Sequence, residues 1–269
     1  MCTVLFACNC HPKYKLVVAA NRDEYYDRPA LAAGFWLDYP DILAGKDLRE
    51  GGAWMGITTA GRFAVLTNYR DPATYKPNRP SRGHLVQNYL CGHLDPESYI
   101  EQLEKDGADY NGFNLLFGTC DSLYYYSNRE KRLRKINSGI HGLSNSLLDV
   151  PWPKVTKGKK VLAEGLQKED ITTEFLFAMM ADREQPEDHD LPQTGVSLEW
   201  ERMLAPTFVM SPKYGTKTTT VMLVDHDNQV QYWERSFKPA ELNIANEVYY
   251  AFKVLNHNVT LADEIKQAE

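Results

Sequence analysis

The second residue of the chain is a cysteine, and this position suits it to nucleophilic chemistry. Methionine aminopeptidase removes Met1 readily before a small residue, which would leave Cys2 with a thiol and a free α-amine. An α-amine titrates near ~7.7 to 8.0, so part of it is unprotonated at neutral pH and can accept the thiol proton. The sequence therefore predicts that Met1 is removed and that Cys2 carries its own base.

A polar run, Asn21-Arg22-Asp23-Glu24, follows the second apolar segment of the chain. If the first two apolar segments pair as an antiparallel hairpin with Cys8 near Lys15, Cys2 lies opposite Asn21. Side chains that face each other across such a pair are close enough to interact. The pairing therefore predicts a polar cluster around the thiol.

Two members of this run have predicted roles in activating the thiol. Asp23 can orient the α-amine, and Arg22 can favour the thiolate, which is the attacking species. Cys2 is therefore predicted to have a lowered pKa and to be the most reactive of the five cysteines. The alternative is that Cys2 is a small buried strand residue without chemistry.

Apolar patterns along the chain predict antiparallel sheets. Segments 2–8 and 15–20 are apolar on both alternating faces, so each is predicted to be a strand that is covered on both sides. A sheet of such strands must lie between two layers. Three further hairpins with short polar turns are predicted, namely 53–58 with 62–67, 113–117 with 123–127, and 218–225 with 229–235.

Helices are predicted between these hairpins and would form the outer layers. Their predicted ranges are 82–92, 96–105, 153–167 and 171–182. The second has Asp95 as its N-cap, Pro96 at its first position and Gly107 beyond its end. Residues 182–192 are predicted to be an exposed loop, and residues 245–256 are ambiguous between strand and helix.

Composition excludes several classes of protein. A chain of 269 residues with 43% hydrophobic content and no linker-like segment is predicted to form one globular domain, 1–269. The formal net charge of -6 disfavours nucleic-acid binding. No apolar stretch approaches the ~20 residues of a membrane span and there is no basic leader, so we expect a cytoplasmic protein without an integral membrane segment. An odd number of cysteines, five, indicates free thiols.

The polar run after a Met-Cys strand resembles the signature of the NRDE-domain family, the transport and Golgi organisation protein 2 family. Further matching segments are Gly51-Gly52-Ala53-Trp54-Met55-Gly56, Leu66-Thr67-Asn68-Tyr69-Arg70, Gly142-Leu143-Ser144-Asn145, Pro151-Trp152 and Tyr214-Gly215-Thr216-Lys217. The resemblance runs along most of the chain. It implies an α+β fold, a four-layer αββα sandwich of the N-terminal nucleophile (Ntn) hydrolase type, with two antiparallel sheets between helical layers. It also implies a distant relation to penicillin V acylases and conjugated bile acid hydrolases.

The resemblance implies roles for individual residues as well. Cys2 matches the nucleophile of those acylases, and Asp23 matches the aspartate that holds the nucleophile's amine. Asn68 and Asn145 resemble two site asparagines whose amides stabilise the tetrahedral oxyanion. Lys217 stands where a site arginine is usual.

Three residues are predicted to bind the substrate. Asn21 lies beside Cys2 in the predicted hairpin, and Lys217 stands at the arginine position. Trp54 is predicted either to pack in the core or to line a pocket. No metal site is predicted, because Cys8-Asn9-Cys10-His11 has neither a CxxC pair nor a second ligand cluster at zinc spacing.

Two functions are open at this point. The leading hypothesis is a cysteine amidohydrolase that acts on a non-peptide C–N bond of a small or lipid-like acyl amide, with no required cofactor. The alternative is a non-catalytic protein that binds and carries haem or acyl lipids in the same cleft. Because the chain has no CxxCH attachment motif, haem is expected only as a reversible ligand.

Overall fold

The computed structural model describes residues 2–105, 109–168 and 170–255. Its strands are β1 Cys2–Cys8, β2 Tyr14–Tyr25, β3 Ala30–Phe35, β4 Ile42–Asp47, β5 Met55–Thr58, β6 Arg62–Asn68, β7 Phe113–Thr119, β8 Ser122–Ser127, β9 Arg134–Lys135, β10 Gly139–Leu143, β11 Tyr214–Asp225, β12 Gln229–Phe237 and β13 Ile244–Lys253. Its α-helices are α1 Gly83–Cys91, α2 Pro96–Lys105, α3 Pro153–Leu166, α4 Thr173–Met180 and α5 Leu198–Leu204. The predictions on Met1 and Gly107 concern residues outside the described ranges.

The strands form two antiparallel sheets. The first has six strands in the order β10-β1-β2-β11-β12-β13, and the second has seven strands in sequence order from β3 to β9. β1 and β2 therefore lie inside the first sheet, and each has a neighbouring strand on both sides. Both strands are apolar on both faces because one face of this sheet packs on the second sheet and the other packs on helices α3 and α4.

Hydrophobic clusters join the sheets to each other and to the helices. Between the two sheets lie side chains such as Val4, Val18, Met55, Phe63 and Leu116. On the outer face of the first sheet, Leu5, Ala19, Leu162, Leu176 and Val221 join the sheet to α3 and α4. On the outer face of the second sheet, Ala64, Leu85, Tyr89, Ile100 and Leu115 join it to α1 and α2. The layers are therefore αββα, and the predicted α+β sandwich is confirmed.

Most predicted elements are present in the structure, with their ends shifted by a few residues. All three further hairpins form, and Asp95 caps α2 by accepting a hydrogen bond from the Ser98 N–H at 2.8 Å. The ambiguous segment 245–256 is a strand up to Lys253, because it pairs along β12 at the edge of the first sheet. One helix that the sequence did not predict, α5, is capped by the Ser197 hydroxyl, which accepts from the Trp200 N–H at 3.4 Å.

The predicted register between β1 and β2 is wrong by one residue. Cys2 pairs with Arg22, and Cys8 pairs with Leu16 rather than Lys15. The connecting loop causes the shift, since Asn9 adopts a positive φ of 48° and its N–H donates to the Lys15 carbonyl at 2.8 Å. A one-residue shift in an antiparallel pair moves every side chain to the other face.

Candidate active site

Cys2 lies in a cleft of about 210 Å³ at one end of the sandwich. We call this cleft the Cys2 cleft, and its described lining residues are Cys2, Arg22, Asp23, Glu24, Arg28, Asp47, Glu50, Ala53, Trp54, Leu66, Asn68, Tyr75, Arg79, Pro80, Ser81, Arg82, Gly83 and Asn111. They come from the open end of the β1–β2 hairpin, from strands of the second sheet, and from the segment that precedes α1. Five predicted site residues are among them, namely Cys2, Arg22, Asp23, Trp54 and Asn68.

The thiol of Cys2 lies close to a backbone N–H and to two charged side chains. It accepts a hydrogen bond from the backbone N–H of Asp23. Burial raises the pKa of the Cys2 thiol, and the Asp23 carboxyl adds to that rise, while Arg22 acts in the opposite direction. In the chain that carries Met1, desolvation outweighs the nearby guanidinium. The predicted low pKa refers to Cys2 with a free α-amine and stays a prediction.

Arg22 lies directly opposite Cys2, and its buried guanidinium is held by two contacts. It is only 6% exposed, its Nη2 donates to Asp47 Oδ2 at 2.9 Å, and its guanidinium lies 4.3 Å from the ring centroid of Trp54. The Trp54 ring in turn lies against Gly45, where an added Cβ would come within 2.1 Å of the ring. The side chain of Trp54 therefore both lines the cleft and packs, as the two predicted alternatives allow.

Asp47 connects several groups at this end of the cleft. Besides Arg22, it accepts from Arg28 Nε at 2.6 Å and from the backbone N–H groups of Arg49 and Glu50 at 3.1 and 3.0 Å. Burial opposes ionisation of Asp47, but these donors hold its pKa below the usual value. The sequence analysis missed this residue, because its partners come from other strands and turns.

Asp23 is a buried carboxyl on the other side of the thiol. It is 1% exposed, and its Oδ1 accepts from the Thr216 hydroxyl at 2.7 Å. Burial raises its pKa, whereas Lys154, Thr216 and Arg70 oppose that rise. The Asp23 carboxyl thus lies beside Cys2, as predicted, with buried cations behind it.

Asn21 does not line the cleft. Because of the register, its side chain lies on the helix-covered face, where Nδ2 donates to the carbonyls of Met180 and Thr207 at 2.8 and 2.9 Å. Its Oδ1 accepts from the Thr219 hydroxyl at 2.6 Å. The amide therefore ties the first sheet to the segments that cover it, and its predicted role in substrate binding stays a prediction.

The two predicted oxyanion asparagines occupy different positions. Asn68 lines the Cys2 cleft, and its side chain makes no hydrogen bond within the described parts of the chain. Asn145 is 1% exposed and lies behind it, where its Nδ2 donates to the Asn68 carbonyl at 2.9 Å. The amide of Asn145 therefore holds the backbone of Asn68 in place.

Lys217 also lies away from the cleft lining. It occupies a β-bulge between β11 and β2, since the pairing skips from Thr216 to Thr218. Its Nζ donates to the carbonyls of Tyr26 and Arg28. Burial lowers the pKa of Lys217, and its charge stabilises the turn that carries Arg28.

A buried cluster behind Asp23 was not predicted from the sequence. Arg70 Nη1 donates to Glu201 Oε2 at 2.7 Å, and both side chains are 5% exposed. Lys154 Nζ donates to the carbonyls of Leu204 and Pro206 at 2.9 and 3.4 Å. Burial lowers the pKa of Lys154 to about 8, with Asp23 opposing the shift. The proline and tryptophan before Lys154 matched the family motif, but the lysine itself gave no signal.

The described residues contain no candidate for a resident metal. Among them, no group of three or more His, Cys, Asp or Glu side chains is arranged to hold a metal ion. The lining of the Cys2 cleft, as far as the structure describes it, has no His or Met, and only Cys2 and Tyr75 belong to the types that ligate haem iron. No helix within the described ranges is long and apolar enough to cross a membrane.

Comparison with known proteins identifies the family. The sequence matches the family described as Transport and Golgi organisation 2 over residues 1–239. A Bos taurus protein named Transport and Golgi organization protein 2 homolog is 36% identical over 257 residues, covering 88% of this chain and 93% of that protein. The Homo sapiens protein of the same name is 36% identical over 264 residues, covering 90% and 95%.

A solved structure shares the fold. The mutant C2A conjugated bile acid hydrolase from Clostridium perfringens superposes with a TM-score of 0.54 and 9% sequence identity, covering 97% of this chain and 100% of that chain. At this identity the similarity concerns the fold alone, and the αββα sandwich is of the Ntn-hydrolase type. On the sequence matches, the chain belongs to the Transport and Golgi organisation 2 family.

Proposed function

We propose that the protein is a cysteine Ntn amidohydrolase that cleaves a non-peptide C–N bond in a small or lipid-like acyl amide. One observation carries the proposal: the thiol of Cys2 lies in a cleft beside a buried carboxylate, Asp23, and beside Asn68, whose amide makes no hydrogen bond to any residue that the structure describes. A nucleophile, an orienting acid and an oxyanion donor are the groups that acyl transfer requires.

The reaction starts with activation of the thiol. Removal of Met1 turns the peptide nitrogen of Cys2 into an α-amine, which accepts the thiol proton. The Asp23 carboxylate orients this amine, and Lys154 and Arg70 favour the ionised form of Asp23. The charged amine then offsets the rise in the thiol pKa that burial causes, because it favours the thiolate.

Acylation and deacylation follow. The thiolate attacks the carbonyl carbon of the substrate, a C–S bond forms, and the carbonyl oxygen gains the negative charge. The Asn68 amide donates to this oxyanion, and Asn145 positions Asn68 through its carbonyl. The C–N bond breaks as the α-ammonium returns its proton to the leaving amine. Water then hydrolyses the thioester, which releases the carboxylic acid and restores the thiol.

Arg22 and Trp54 form a rigid wall of the cleft. Since Asp47 and the indole hold the guanidinium, Arg22 cannot swing toward the thiol without breaking an ion pair. We assign it a positioning role for the β1–β2 hairpin and the thiol. The cleft volume of about 210 Å³ is below the ≈ 300–1,000 Å³ of pockets for drug-sized ligands. It therefore fits the reacting part of a substrate, with any long acyl chain outside.

The test is replacement of the nucleophile. Cys2→Ser should reduce amine release from a panel of N-acyl amides at least about a hundredfold, because a hydroxyl is far less ionised than a thiol. Cys10→Ser, which changes an exposed cysteine outside the cleft, is the matched control and should keep full activity. Intact mass should show loss of Met1 in the active wild type and a transient acyl adduct on Cys2.

The same samples test the carrier hypothesis. If wild type with Met1 removed releases no amine from any compound and shows no acyl adduct, the hydrolase proposal fails. Saturable haem or fatty-acid binding that Cys2→Ser leaves unchanged would then support a carrier that uses the same fold. Thermal unfolding of each variant checks that the substitution leaves the fold intact.

A further inference from the structure

The lining of the Cys2 cleft contains a guanidinium that has no carboxylate partner among the described residues. Arg82 lines the cleft, is half-buried, and donates from Nη1 to the Gly112 carbonyl at 3.0 Å. Within the described ranges it makes no ion pair and no other hydrogen bond. Since a guanidinium has five N–H donors, most of its hydrogen-bonding capacity remains available to a ligand.

The other arginines of the cleft differ from Arg82 in this respect. Arg22 and Arg28 share the carboxylate of Asp47. Arg79 pairs with Asp109 at 2.6 Å on the rim. Each of these three arginines already pairs with a carboxylate, so Arg82 is the arginine of the described lining that is positioned to take an external anion.

The carboxylates of the cleft do not fill this role. Glu24 accepts from the backbone N–H of Tyr25 at 2.9 Å and lies 3.9 Å from Arg28. Glu50 is exposed. Both are beyond ion-pair distance of Arg82 in the described structure. Burial lowers the pKa of the Arg82 guanidinium, and the charge of Glu24 opposes this shift only in part.

The backbone fixes Arg82 in this position. The residue immediately precedes α1, which begins at Gly83, so the positive end of the helix dipole lies beside its side chain. Gly52 packs against Gly83 so closely that an added Cβ would come within 2.5 Å of the Gly83 carbonyl carbon. The segment before β5 therefore packs directly against the first residue of α1 at the cleft, and the Ala53 N–H donates to the Gly83 carbonyl at 3.2 Å.

We propose that Arg82 binds the carboxylate of an anionic substrate, so that the preferred substrates are acyl amides that carry a carboxylate, such as N-acyl amino acids. The proposal rests on the proposed function for the amide bond itself. A carboxylate matches the planar donor fork of a guanidinium, and such charge-assisted pairs are stronger and more selective than neutral hydrogen bonds. The helix terminus adds a further favourable interaction with the anion.

The test compares two ligands that differ only in charge. Binding of N-decanoylglycine and N-decanoylglycinamide to Cys2→Ser protein is measured by calorimetry, so that turnover does not interfere. The carboxylate should bind at least about tenfold more tightly than the amide, as expected for a hydrogen bond to a charged group. Adding Arg82→Gln should remove this preference, and Arg82→Lys should retain part of it.

A matched control and the contrary outcomes complete the test. Arg49→Gln removes an exposed arginine outside the cleft lining and should leave the preference unchanged. Equal affinities for the two ligands, or a preference that survives Arg82→Gln, would overturn the proposal. Because the readout is affinity, the outcome is independent of catalysis. A carboxylate preference without amine release by wild type would refute only the hydrolase, and turnover of neutral amides without that preference would refute only the anion site.

Discussion

At the scale of single residues, burial dominates the chemistry of the site. The Cys2 thiol, the Asp23 carboxyl and the Lys154 ammonium are each shifted by burial toward their neutral forms. Arg22 faces the thiol, but its guanidinium forms an ion pair with Asp47. In the proposed reaction, activation of Cys2 therefore depends on the charge of the α-amine, and the buried cations behind Asp23 favour the ionised carboxylate that orients this amine.

Lys154 provides a residue-scale test of this arrangement. Its folded-state pKa of about 8 lies below the ordinary value of 10.5, so the folded protein holds fewer protons than the unfolded chain between these pH values. Wild type should therefore gain stability relative to Lys154→Met as pH rises from about 8 to 10.5, by up to about 3 kcal/mol. Amine release should fall in the variant, because Lys154 no longer opposes the rise in the Asp23 pKa.

Urea unfolding at several pH values measures this difference. Lys160→Met changes an exposed lysine on the same helix and serves as the matched control. If the difference in stability between wild type and Lys154→Met stays constant from pH 8 to 10.5, the pKa of Lys154 is not lowered by burial. Full activity of Lys154→Met would contradict its effect on Asp23.

At the scale of elements, the sequence predicts what is local and misses what is distant. The hairpins and four helices follow from alternation, turns and caps, each of which involves neighbouring residues. The β1–β2 register could not be predicted, because it depends on the loop conformation at Asn9. The helix α5 has only seven residues, which is about two turns, so it is too short for a helical period to stand out in the sequence.

The same distinction applies to the candidate site. Cys2, Arg22 and Asp23 were found because one hairpin brings them together. Asp47 and Glu201 were not, because their arginine partners are 25 and 131 residues away in the sequence. An ion pair between distant elements leaves no periodicity or spacing that a single sequence can display.

The contact between β4 and Trp54 gives an element-scale prediction. An added Cβ at Gly45 would overlap the indole ring, and the guanidinium of Arg22 lies 4.3 Å from the centroid of the same ring, so a shift of the ring would disturb this contact. Gly45→Ala should destabilise the fold by about 1–3 kcal/mol, the usual effect of overpacking, and should displace the Arg22 side chain. Thermal unfolding followed by tryptophan fluorescence measures the change.

A neighbouring glycine supplies the control for this prediction. Gly34 lies on β3 of the same sheet, and an added Cβ there would meet only the Tyr250 hydroxyl at an ordinary 3.6 Å. Gly34→Ala should therefore cost much less stability than Gly45→Ala. Equal effects of the two substitutions would mean that the Trp54 ring moves freely, and that it does not form a rigid wall of the cleft.

At the scale of the whole molecule, a buried carboxyl joins the two sheets at a point away from the Cys2 cleft lining. Glu234 on β12 of the first sheet is 1% exposed, and its Oε1 accepts from the Ala33 N–H of β3 at 2.8 Å. Its Oε2 accepts from the Thr220 hydroxyl at 3.2 Å. The carboxyl therefore links the two sheets through a strand of each, and Arg22 lowers its pKa from the cleft side.

The pH dependence of stability tests this link between the sheets. Burial raises the pKa of Glu234 from 4.5 to about 7, so between these values the folded protein holds a proton that the unfolded chain has lost. Wild type should therefore lose stability relative to Glu234→Gln as pH rises from about 4.5 to 7, by up to about 3 kcal/mol, and the difference should stay constant above pH 7. Glutamine keeps an acceptor for the Ala33 N–H, so the link between the sheets survives the substitution.

Denaturant unfolding from pH 4.5 to 8 measures the difference, with Glu164→Gln, an exposed change on α3, as the control. A wild-type-minus-variant difference that does not change with pH would show that Glu234 is ionised as easily in the folded protein as in the unfolded chain.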